Sequence, residues 1–256
     1  MLDRVDAAVL RASLLGPGRL WTSIEVVDAT GSTNADLAAA ARRGEASGTV
    51  LISMFQATGR GRFARRWEAP PGSSIAISVL LRPAGEPRWP WLPLVTGLAV
   101  GSGLRVAAGV DTEVKWPNDV LIGGRKVCGI LAERVDDAAV VGIGINTLLT
   151  EDQLPVPTAT SLRLAGSEAS STTVALAVLA ELERAASRWL DGTDLQGWYS
   201  ATCATIGRQV RVLTSRTEAV TGEAVGVDAD GRLLVRIAGE VRAFAAGDVH
   251  HLRGSA

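Results

Sequence analysis

Apolar and polar positions along the first 204 residues switch between helical spacing and short strand-like runs. A capping pair of Thr33 and Asp36 opens one helix, and Gly44 closes it. Further helices are predicted over Val5–Leu15, Leu92–Ala108, Thr173–Leu190 and Asp194–Cys203. The predicted strands are Ile24–Val27, Thr49–Phe55, Ser74–Leu81, Glu113–Trp116, Val120–Ile122, Lys126–Arg134 and Ala139–Ile145.

The pattern changes after Thr205. Short alternating runs such as R-Q-V-R-V-L and G-R-L-L-V-R-I follow one another, separated by turn residues. Such a series predicts a small all-β unit of barrel type. We therefore expect two domains, residues 1–204 and residues 205–256.

Composition narrows the class of protein. The chain has 256 residues, 47% of them hydrophobic, and a net charge of -1. That near-neutral charge argues against a protein that coats nucleic acid non-specifically and against a polybasic membrane anchor. Glycines and Arg105 interrupt the longest apolar run, Leu92–Val110, which predicts a buried helix instead of a membrane span. The N-terminus has no long apolar core, and two distant cysteines suggest a reducing compartment, so we expect a cytoplasmic protein.

Lysine usage marks one stretch of the chain. Lys115 and Lys126 are the only lysines in the sequence, and both lie in E-V-K-W-P-N-D-V-L-I-G-G-R-K-V-C-G-I, residues 113–130. All the other basic residues, apart from two histidines, are arginines. Lysine carries a compact point charge, whereas arginine carries a planar fork. These two lysines are therefore candidates for positions that need an ammonium group.

A long connection separates the strands that end at Phe55 and begin at Ser74. It reads Q-A-T-G-R-G-R-F-A-R-R-W-E-A-P-P-G-S and has no internal periodicity. Loops of this length inside a compact domain are usually functional or disordered. Its interleaved glycines and arginines suit an anion-binding flap, although a solvated charged loop or a nucleic-acid contact would share that composition. Phe63 and Trp67 favour a loop that packs onto the domain.

Several common catalytic sites are not indicated. The sequence contains no phosphate-binding G-x-x-x-x-G-K-[ST] and no C-x-x-C or H-x-x-H. His250 and His251 are adjacent near the C-terminus, where we expect them on the surface. Gly142 and Gly144 alternate with aliphatic residues in V-G-I-G-I-N, a pattern that often marks close approach of a ligand.

Taken together, five motifs resemble those of the biotin protein ligases. They are G-S-T-N (31–34), Q-x-x-G-R-G-R (56–62), K-W-P-N-D (115–119), R-K-x-x-G-I-L-x-E (125–133) and G-I-G-I-N (142–146). The resemblance implies an α+β catalytic fold with a mixed sheet, akin to class II aminoacyl-tRNA synthetases, and an SH3-like C-terminal barrel. It also implies a two-step reaction in which biotin and MgATP form biotinyl-5′-AMP and a lysine of a biotin carboxyl carrier domain then accepts the biotin.

The resemblance also assigns roles to individual residues. Lys126 would contact the biotin carboxylate and the α-phosphate, with Arg62 and Lys115 as further catalytic groups. Biotin would bind to Ser32, Thr33, Gln56, Gly59, Arg60, Lys126 and Gly129. The nucleotide would bind to Arg62, Arg65, Trp67, Asn118, Asp119 and Asn146. Which residues would hold a metal is left open, and the expected cofactors are biotin as substrate, ATP and Mg²⁺.

Two departures from the family pattern are visible. Ala64 stands where the family's flap motif usually has glycine, and only about twenty residues precede Trp21, too few for a helix-turn-helix region. We therefore expect a ligase without a repressor role, working as a monomer or weak homodimer without nucleic acid or membrane. The alternatives are a lipoate–protein ligase and, from another class, a nucleic-acid-binding module that uses the arginine-rich loop.

Overall fold

The computed structural model describes residues 3–85, 87–192, 194–214 and 218–252. A seven-stranded sheet with the order β1-β2-β3-β7-β6-β5-β4 forms its larger part. β1 and β2 run parallel, and the other neighbouring strands run antiparallel. The strands are β1 (Ser23–Val27), β2 (Thr49–Ser53), β3 (Ser74–Leu81), β4 (Glu113–Lys115), β5 (Asp119–Ile122), β6 (Arg125–Val135) and β7 (Ala138–Asn146).

Strand β3 lies near the middle of this sheet, between β2 and β7. All eight of its residues are buried, which explains its nearly continuous apolar sequence. Ser78 interrupts that run and pairs in register with Gly142 of β7. A hydroxyl is thus placed in the core opposite a residue that has no side chain.

Helices cover both faces of the sheet. They are α1 (Ala7–Leu14), α2 (Thr33–Arg42), α3 (Leu92–Ala108), α4 (Ser171–Asp191) and α5 (Leu195–Ser200). Leu37 of α2 packs in a small cluster with Leu51, Leu80 and Val140, while α3 and α4 belong to the main core. These two helices pack closely at Gly103, where an added Cβ would lie only 2.7 Å from the Cα of Val178.

Helix α3 has a composition that a membrane-spanning helix could have. The segment Trp89–Ala108 has a mean hydropathy of 1.3, and 67% of its most apolar window is buried inside the molecule. Its apolar side chains therefore already pack against the sheet and α4, as a core helix requires. The expectation of a buried helix agrees with this packing.

A second sheet of five antiparallel strands follows. Its order is β11-β10-β9-β8-β12, and Trp91 and Trp116 donate indole N–H bonds to the carbonyls of Ala229 and Gly231. These bonds attach the second sheet to the chain at the start of α3 and at the end of β4. The strands are β8 (Gln209–Leu213), β9 (Ala219–Val227), β10 (Leu233–Ile237), β11 (Glu240–Phe244) and β12 (Asp248–His251). The chain is thus a mixed α+β fold with a C-terminal β unit.

The structure corrects some local expectations. The N-cap of α2 is Ser32, which accepts a hydrogen bond from the backbone N–H of Ala35, and Asp36 instead accepts from Thr30. The predicted cap was wrong because Thr33 turns inward and is buried. His251 is likewise not on the surface, since it is half-buried with Nε2 3.1 Å from Thr205 Oγ1.

Candidate active site

A single cleft gathers most of the residues that the motifs single out. Its walls come from the start of α2, the loop after β2, the β4–β5 turn and the middle of β6 and β7. These segments are far apart in sequence, and the sheet order places them side by side. The predicted residues that line the cleft are Ser32, Thr33, Gln56, Arg60, Arg62, Arg65, Trp67, Asn118, Asp119, Lys126 and Gly129.

One end of the cleft is lined by neutral polar groups. Gln56 Oε1 accepts from the backbone N–H of Thr33 at 2.8 Å and lies 3.0 Å from Thr33 Oγ1. Because the amide oxygen is held in this way, the Gln56 amide N–H₂ remains to bind other groups. This end can recognise a small polar ring through donors and acceptors without a formal charge.

The opposite end carries a carboxylate between the two lysines. Lys126 Nζ lies 2.5 Å from Asp119 Oδ1, and Lys115 Nζ lies 3.7 Å from Asp119 Oδ2. The short contact is an ion pair, and its angles do not meet hydrogen-bond geometry. Strand register explains the meeting, because Lys115 pairs with Asp119 across β4 and β5, and Asp119 pairs with Gly129 of β6. The two lysines of the chain therefore share one counter-ion.

The arginines of the loop after β2 are also paired with protein groups. Arg60 contacts Glu133 at 3.1 Å, and Arg65 forms an ion pair with Asp248 of the second sheet. Arg62 donates to Asn118 Oδ1 at 3.1 Å and to the carbonyl of Gly247 at 3.3 Å. Burial lowers the pKa of Arg62, and the charges of Asp248 and Asp119 oppose that effect. Anionic substrates would therefore have to replace protein partners that already hold these cations.

Trp67 lies across the floor of the cleft. Its indole ring covers the two backbone positions at Gly129 and Gly144, where an added Cβ would approach the ring to 3.0 Å and 2.5 Å. The ring also lies 5.9 Å from Lys126 Nζ, within cation–π range. Close approach of an aromatic ring explains why β6 and β7 carry glycine here.

Three predicted residues lie outside the cleft lining. Lys115 lies behind Asp119, and Gly59 lies at the base of the loop, where a Cβ would be 2.5 Å from the carbonyl of Trp67. Asn146 is buried at the end of β7 and donates to the carbonyl of Thr160 at 2.9 Å. Asn146 therefore anchors the connection that follows β7, where the Thr160 N–H donates to the carbonyl of Lys126 at 2.8 Å.

The backbone of the loop shows how the chain turns near Ala64, where the family's flap motif usually has glycine. Phe63, one position before the alanine, has a left-handed backbone with φ of 55°. Gly61 N–H donates to the carbonyl of Arg65 at 2.8 Å, and Trp67 N–H donates to that of Gly59 at 3.0 Å. The loop thus makes its turn with Phe63 as the left-handed residue.

A second group of residues in or beside the cleft was given no role in the site from the sequence, although the glycines among them were noted as a pattern of close approach. Asn34, Gly142 and Gly144 line it, Glu133 pairs with Arg60, and Ser78 lies beneath Thr33. Signals for most of them were present, since Asn34, Glu133 and both glycines belong to the quoted motifs and Ser78 is polar within an apolar strand. Asp248 also lines the cleft, and nothing in its local sequence indicated that position.

The buried thiol near the cleft is not suited to nucleophilic chemistry. Cys128 follows Lys126 by two residues and is fully buried. Burial raises the pKa of its thiol well above the usual range, although the charge of Lys126 opposes the shift. The chemistry of the cleft therefore depends on its cations and polar groups.

Family models match both parts of the chain. Residues 28–147 match the Biotin/lipoate A/B protein ligase family, and residues 205–252 match the Biotin protein ligase C terminal domain. A biotin–[acetyl-CoA-carboxylase] ligase of Mycobacterium tuberculosis is 40% identical, over 97% of this chain and 96% of that protein. The chain belongs to the biotin protein ligase family.

Other members of the family agree. A biotin–[acetyl-CoA-carboxylase] ligase of Paracoccus denitrificans is 32% identical, over 81% of this chain and 91% of that protein. Among solved structures, a biotin protein ligase from Aquifex aeolicus in complex with biotin and ATP has a TM-score of 0.79 and 27% identity. It is matched over 91% of this chain and 100% of its own. The nucleic-acid-binding alternative is therefore not favoured.

Proposed function

We propose that this chain is an ATP-dependent ligase that attaches biotin to a specific lysine of a biotin carboxyl carrier domain through biotinyl-5′-AMP. The observation that carries the proposal is the division of one cleft into a neutral polar end and a cationic end. Thr33 and Gln56 form the first end, and Lys126 with Arg62 and Arg65 forms the second. That division matches a substrate with an uncharged polar ring and an anionic tail.

At the neutral end, the ureido ring of biotin would meet Ser32, Thr33 and Gln56. The Gln56 amide N–H₂ can donate to the ureido carbonyl, because its oxygen is held by the backbone of Thr33. Gly129 and Gly144 leave room over β6 and β7 for a flat ring or chain once Trp67 moves aside. Gly59 and Arg60 would close the loop over this end.

At the cationic end, the adenylation step brings two anions together. A carboxylate oxygen of biotin attacks the α-phosphorus of ATP, the bond to the β-phosphate oxygen breaks, and pyrophosphate leaves with the electron pair. Negative charge grows on the phosphorus oxygens, so fixed cations lower the barrier. Lys126 would move from Asp119 to these oxygens, with Lys115 retaining Asp119 as its counter-ion.

The loop arginines would then protect the intermediate. Arg62 and Arg65 would leave Asn118 and Asp248 for the phosphates, while Asn118 and Trp67 would contact the nucleotide. A closed loop excludes water, which would otherwise hydrolyse the mixed anhydride. In the second step the carrier's lysine nitrogen attacks the carbonyl carbon, AMP leaves with the electron pair, and the nitrogen loses a proton.

Magnesium would enter with the nucleotide. Within the described ranges there is no group of three or more metal-ligating side chains. Asp119 and Asp248 are carboxylates that line the cleft, and they would be the side chains available to hold an ion that enters with the phosphates and neutralises their charge. We propose MgATP as the substrate on this basis.

The proposal extends to the whole molecule. We propose a class II synthetase-like catalytic domain over residues 1–204 and an SH3-like domain over residues 205–256. The free, buried cysteines Cys128 and Cys203 support a cytoplasmic location. We further propose a monomer or weak homodimer whose macromolecular partner is the carrier domain, with no role for nucleic acid or membrane.

Intact mass spectrometry tests the function directly. Protein incubated with biotin, MgATP and a carrier domain should add one biotin to the carrier, and omission of either small molecule should abolish the product. Lipoate in place of biotin serves as the matched substrate control. A folded protein that modifies none of several carrier domains would contradict the proposal.

A further inference from the structure

The strand that carries Lys115 is bordered on its outer side by the segment that leads into the second sheet. Val114 N–H donates to the carbonyl of Thr202 at 3.3 Å, and Ala204 N–H donates to the carbonyl of Val114 at 2.8 Å. This parallel bridge continues the first sheet beyond its edge strand β4. The strand is therefore held on both sides, by β5 and by residues 202–204.

At Trp116, just after this strand, a side chain takes the place of the backbone acceptor. The bordering segment turns after Ala204, since Ile206 N–H donates to the carbonyl of Cys203 at 3.2 Å. Trp116 N–H instead donates to the hydroxyl oxygen of Thr205 at 3.1 Å. Trp116 is 1% exposed and Thr205 is fully buried, so water cannot easily replace this acceptor.

The Thr205 hydroxyl is in turn held by the second sheet. Nε2 of the half-buried His251, on β12, lies 3.1 Å from Thr205 Oγ1. Burial and the charges of Lys115 and Arg208 lower the pKa of His251 to about 4, so a neutral ring lies beside the lysine at physiological pH. A hydroxyl has one proton and two lone pairs, so Thr205 can accept from Trp116 and still bond to His251 in either tautomer.

We propose that Thr205 and His251 are positioning residues for adenylation, which act through the backbone of Trp116. This inference rests on the proposed function. Trp116 follows Lys115 directly and precedes the turn that leads to Asp119, so a displacement of its N–H would move both cleft residues. The second sheet thereby helps to set the geometry of the cationic end without touching a substrate.

The position of Lys115 matters because of the charge that Lys126 leaves behind. Adenylation requires Lys126 to turn from Asp119 to the α-phosphate. Lys115, whose Nζ lies 3.7 Å from Asp119 Oδ2, then remains as the counter-ion of that carboxylate. If Lys115 were displaced, the carboxylate would hold Lys126 more strongly and the phosphate oxygens would compete less well for it.

Adenylation and biotin binding, measured separately, test the inference. Thr205→Val keeps the shape of the side chain but removes the acceptor for Trp116 N–H. The single-turnover rate of pyrophosphate release at saturating biotin and MgATP should fall about tenfold. Biotin affinity, measured by calorimetric titration without ATP, should stay within about twofold, because the neutral end of the cleft is unchanged. Thr205→Ser keeps the hydroxyl and should restore most of the rate.

Matched variants separate positioning from general damage. Thr96 is also fully buried, and its hydroxyl donates to the Leu92 carbonyl within α3, so Thr96→Val should leave pyrophosphate release unchanged. His251→Phe removes the second contact of the Thr205 hydroxyl and should slow the release less than Thr205→Val does. The double variant should be no slower than Thr205→Val alone, because both residues act through one hydroxyl.

Amide hydrogen exchange adds a readout that does not depend on activity. Peptides that cover residues 113–121 should exchange faster in Thr205→Val than in wild type, and Thr96→Val should match wild type. If Thr205→Val does not fold, His251→Phe carries both measurements.

Two results would overturn the inference. One is a rate of pyrophosphate release in Thr205→Val within about twofold of wild type, and the other is unchanged exchange of these peptides. An equal loss of biotin affinity and of rate would likewise count as general damage and against positioning. Wild type that releases no pyrophosphate would instead refute the proposed function, while the exchange experiment would still test the positioning.

Discussion

Asp119 is the residue on which the charge balance of the cleft depends. It lies between Lys115 and Lys126 with its side chain 17% exposed, so both ion pairs are partly shielded from water. Lysine fits this position because its ammonium is compact and can turn from a carboxylate to a phosphate oxygen. The two lysines of a chain whose other long basic residues are all arginine thus share the same partner, Asp119.

Replacing Lys126 by arginine should impair adenylation although the charge is kept. The planar fork cannot occupy the narrow space between Asp119 and the reacting oxygens, so transition-state stabilisation is lost. We expect a loss of about 3 kcal/mol, roughly a hundredfold in rate. Biotin- and ATP-dependent pyrophosphate release measures the effect.

The neighbouring Arg125→Lys provides the matched control for that variant. Arg125 donates to the carbonyl of Ala159 and pairs with Glu151 at the surface, away from the cleft. Its replacement should leave pyrophosphate release nearly unchanged, because exposed ion pairs contribute little. Wild-type adenylation by Lys126→Arg would show that the lysine has no special role.

His251 should make the free energy of unfolding depend on pH. Burial and the nearby charges of Lys115 and Arg208 lower its pKa in the folded protein to about 4, from an ordinary value of 6.5. Between these values the unfolded chain binds the proton more readily, so stability is constant above pH 6.5 and falls as the pH approaches 4. His251→Gln should remove up to about 2 kcal/mol of that dependence, after allowance for partial exposure.

Thermal unfolding of both proteins across this pH range checks the prediction. The difference in melting temperature between wild type and His251→Gln should vary with pH below 6.5 and be constant above it. The adjacent His250→Gln is the control, since His250 is exposed on the same strand. Parallel curves for all three proteins would contradict the assignment.

At the scale of elements, the loop after β2 is held by pairs with groups on three other segments. Its arginines contact Glu133 on β6, Asn118 before β5, and Gly247 and Asp248 beside β12. Most of these side chains are partly exposed, so each pair contributes little by itself. The loop can therefore exchange several weak protein contacts for one multiply charged ligand.

Biotinyl-5′-AMP should protect this loop from trypsin. Four arginines between Arg60 and Arg66 are potential cleavage sites, and a bound phosphate would hold several of them together. Cleavage within the loop should slow with the adenylate, whereas cleavage after the exposed Arg43 should keep its rate. Equal loop cleavage with and without ligand, read by mass spectrometry, would count against closure.

Replacing two glycines of helix α3 by alanine should change the stability of the protein in opposite directions. At Gly103 a new Cβ would lie 2.7 Å from the backbone of Val178, so Gly103→Ala should destabilise by about 1–3 kcal/mol. At Gly97 the nearest atoms are flexible side-chain carbons at 3.6 Å, so Gly97→Ala should be neutral or stabilising by up to about 1 kcal/mol. Urea unfolding of both variants tests the α3–α4 contact, and equal stabilities would refute it.

At the scale of the whole molecule, the two sheets share one hydrophobic core. Side chains of the second sheet, including Val210, Val227 and Leu233, belong to the same buried cluster as Trp91 and Trp116. The indole N–H bonds to Ala229 and Gly231 add directed contacts across the junction. The C-terminal unit is therefore part of the structure that holds the K-W-P-N-D turn.

This shared core predicts a single unfolding transition. Loss of the second sheet would expose the tryptophans of the junction to water, which couples the stability of the two sheets. Thermal melts followed by far-ultraviolet circular dichroism and by tryptophan fluorescence should coincide. Two separated transitions would show that the sheets unfold independently.

The sequence by itself determined the elements and the chemical class of the site. Hydrophobic spacing, glycines and turn residues act over a few positions, so most helices and strands were predicted with small shifts at their ends. The ordered motifs identified the family for the same reason, since each is a short local pattern. Errors at this level were also local, as with the N-cap of α2.

Only the tertiary structure decided which side chains meet. Asn34 and Glu133 are 99 positions apart and hydrogen bond because β6 and the start of α2 face each other across β7. Arg65 and Asp248 are 183 positions apart and pair because the second sheet packs beside the loop. Such contacts depend on strand order, register and the burial of a common core, which no local pattern encodes. The counter-ions of the cleft follow from that arrangement.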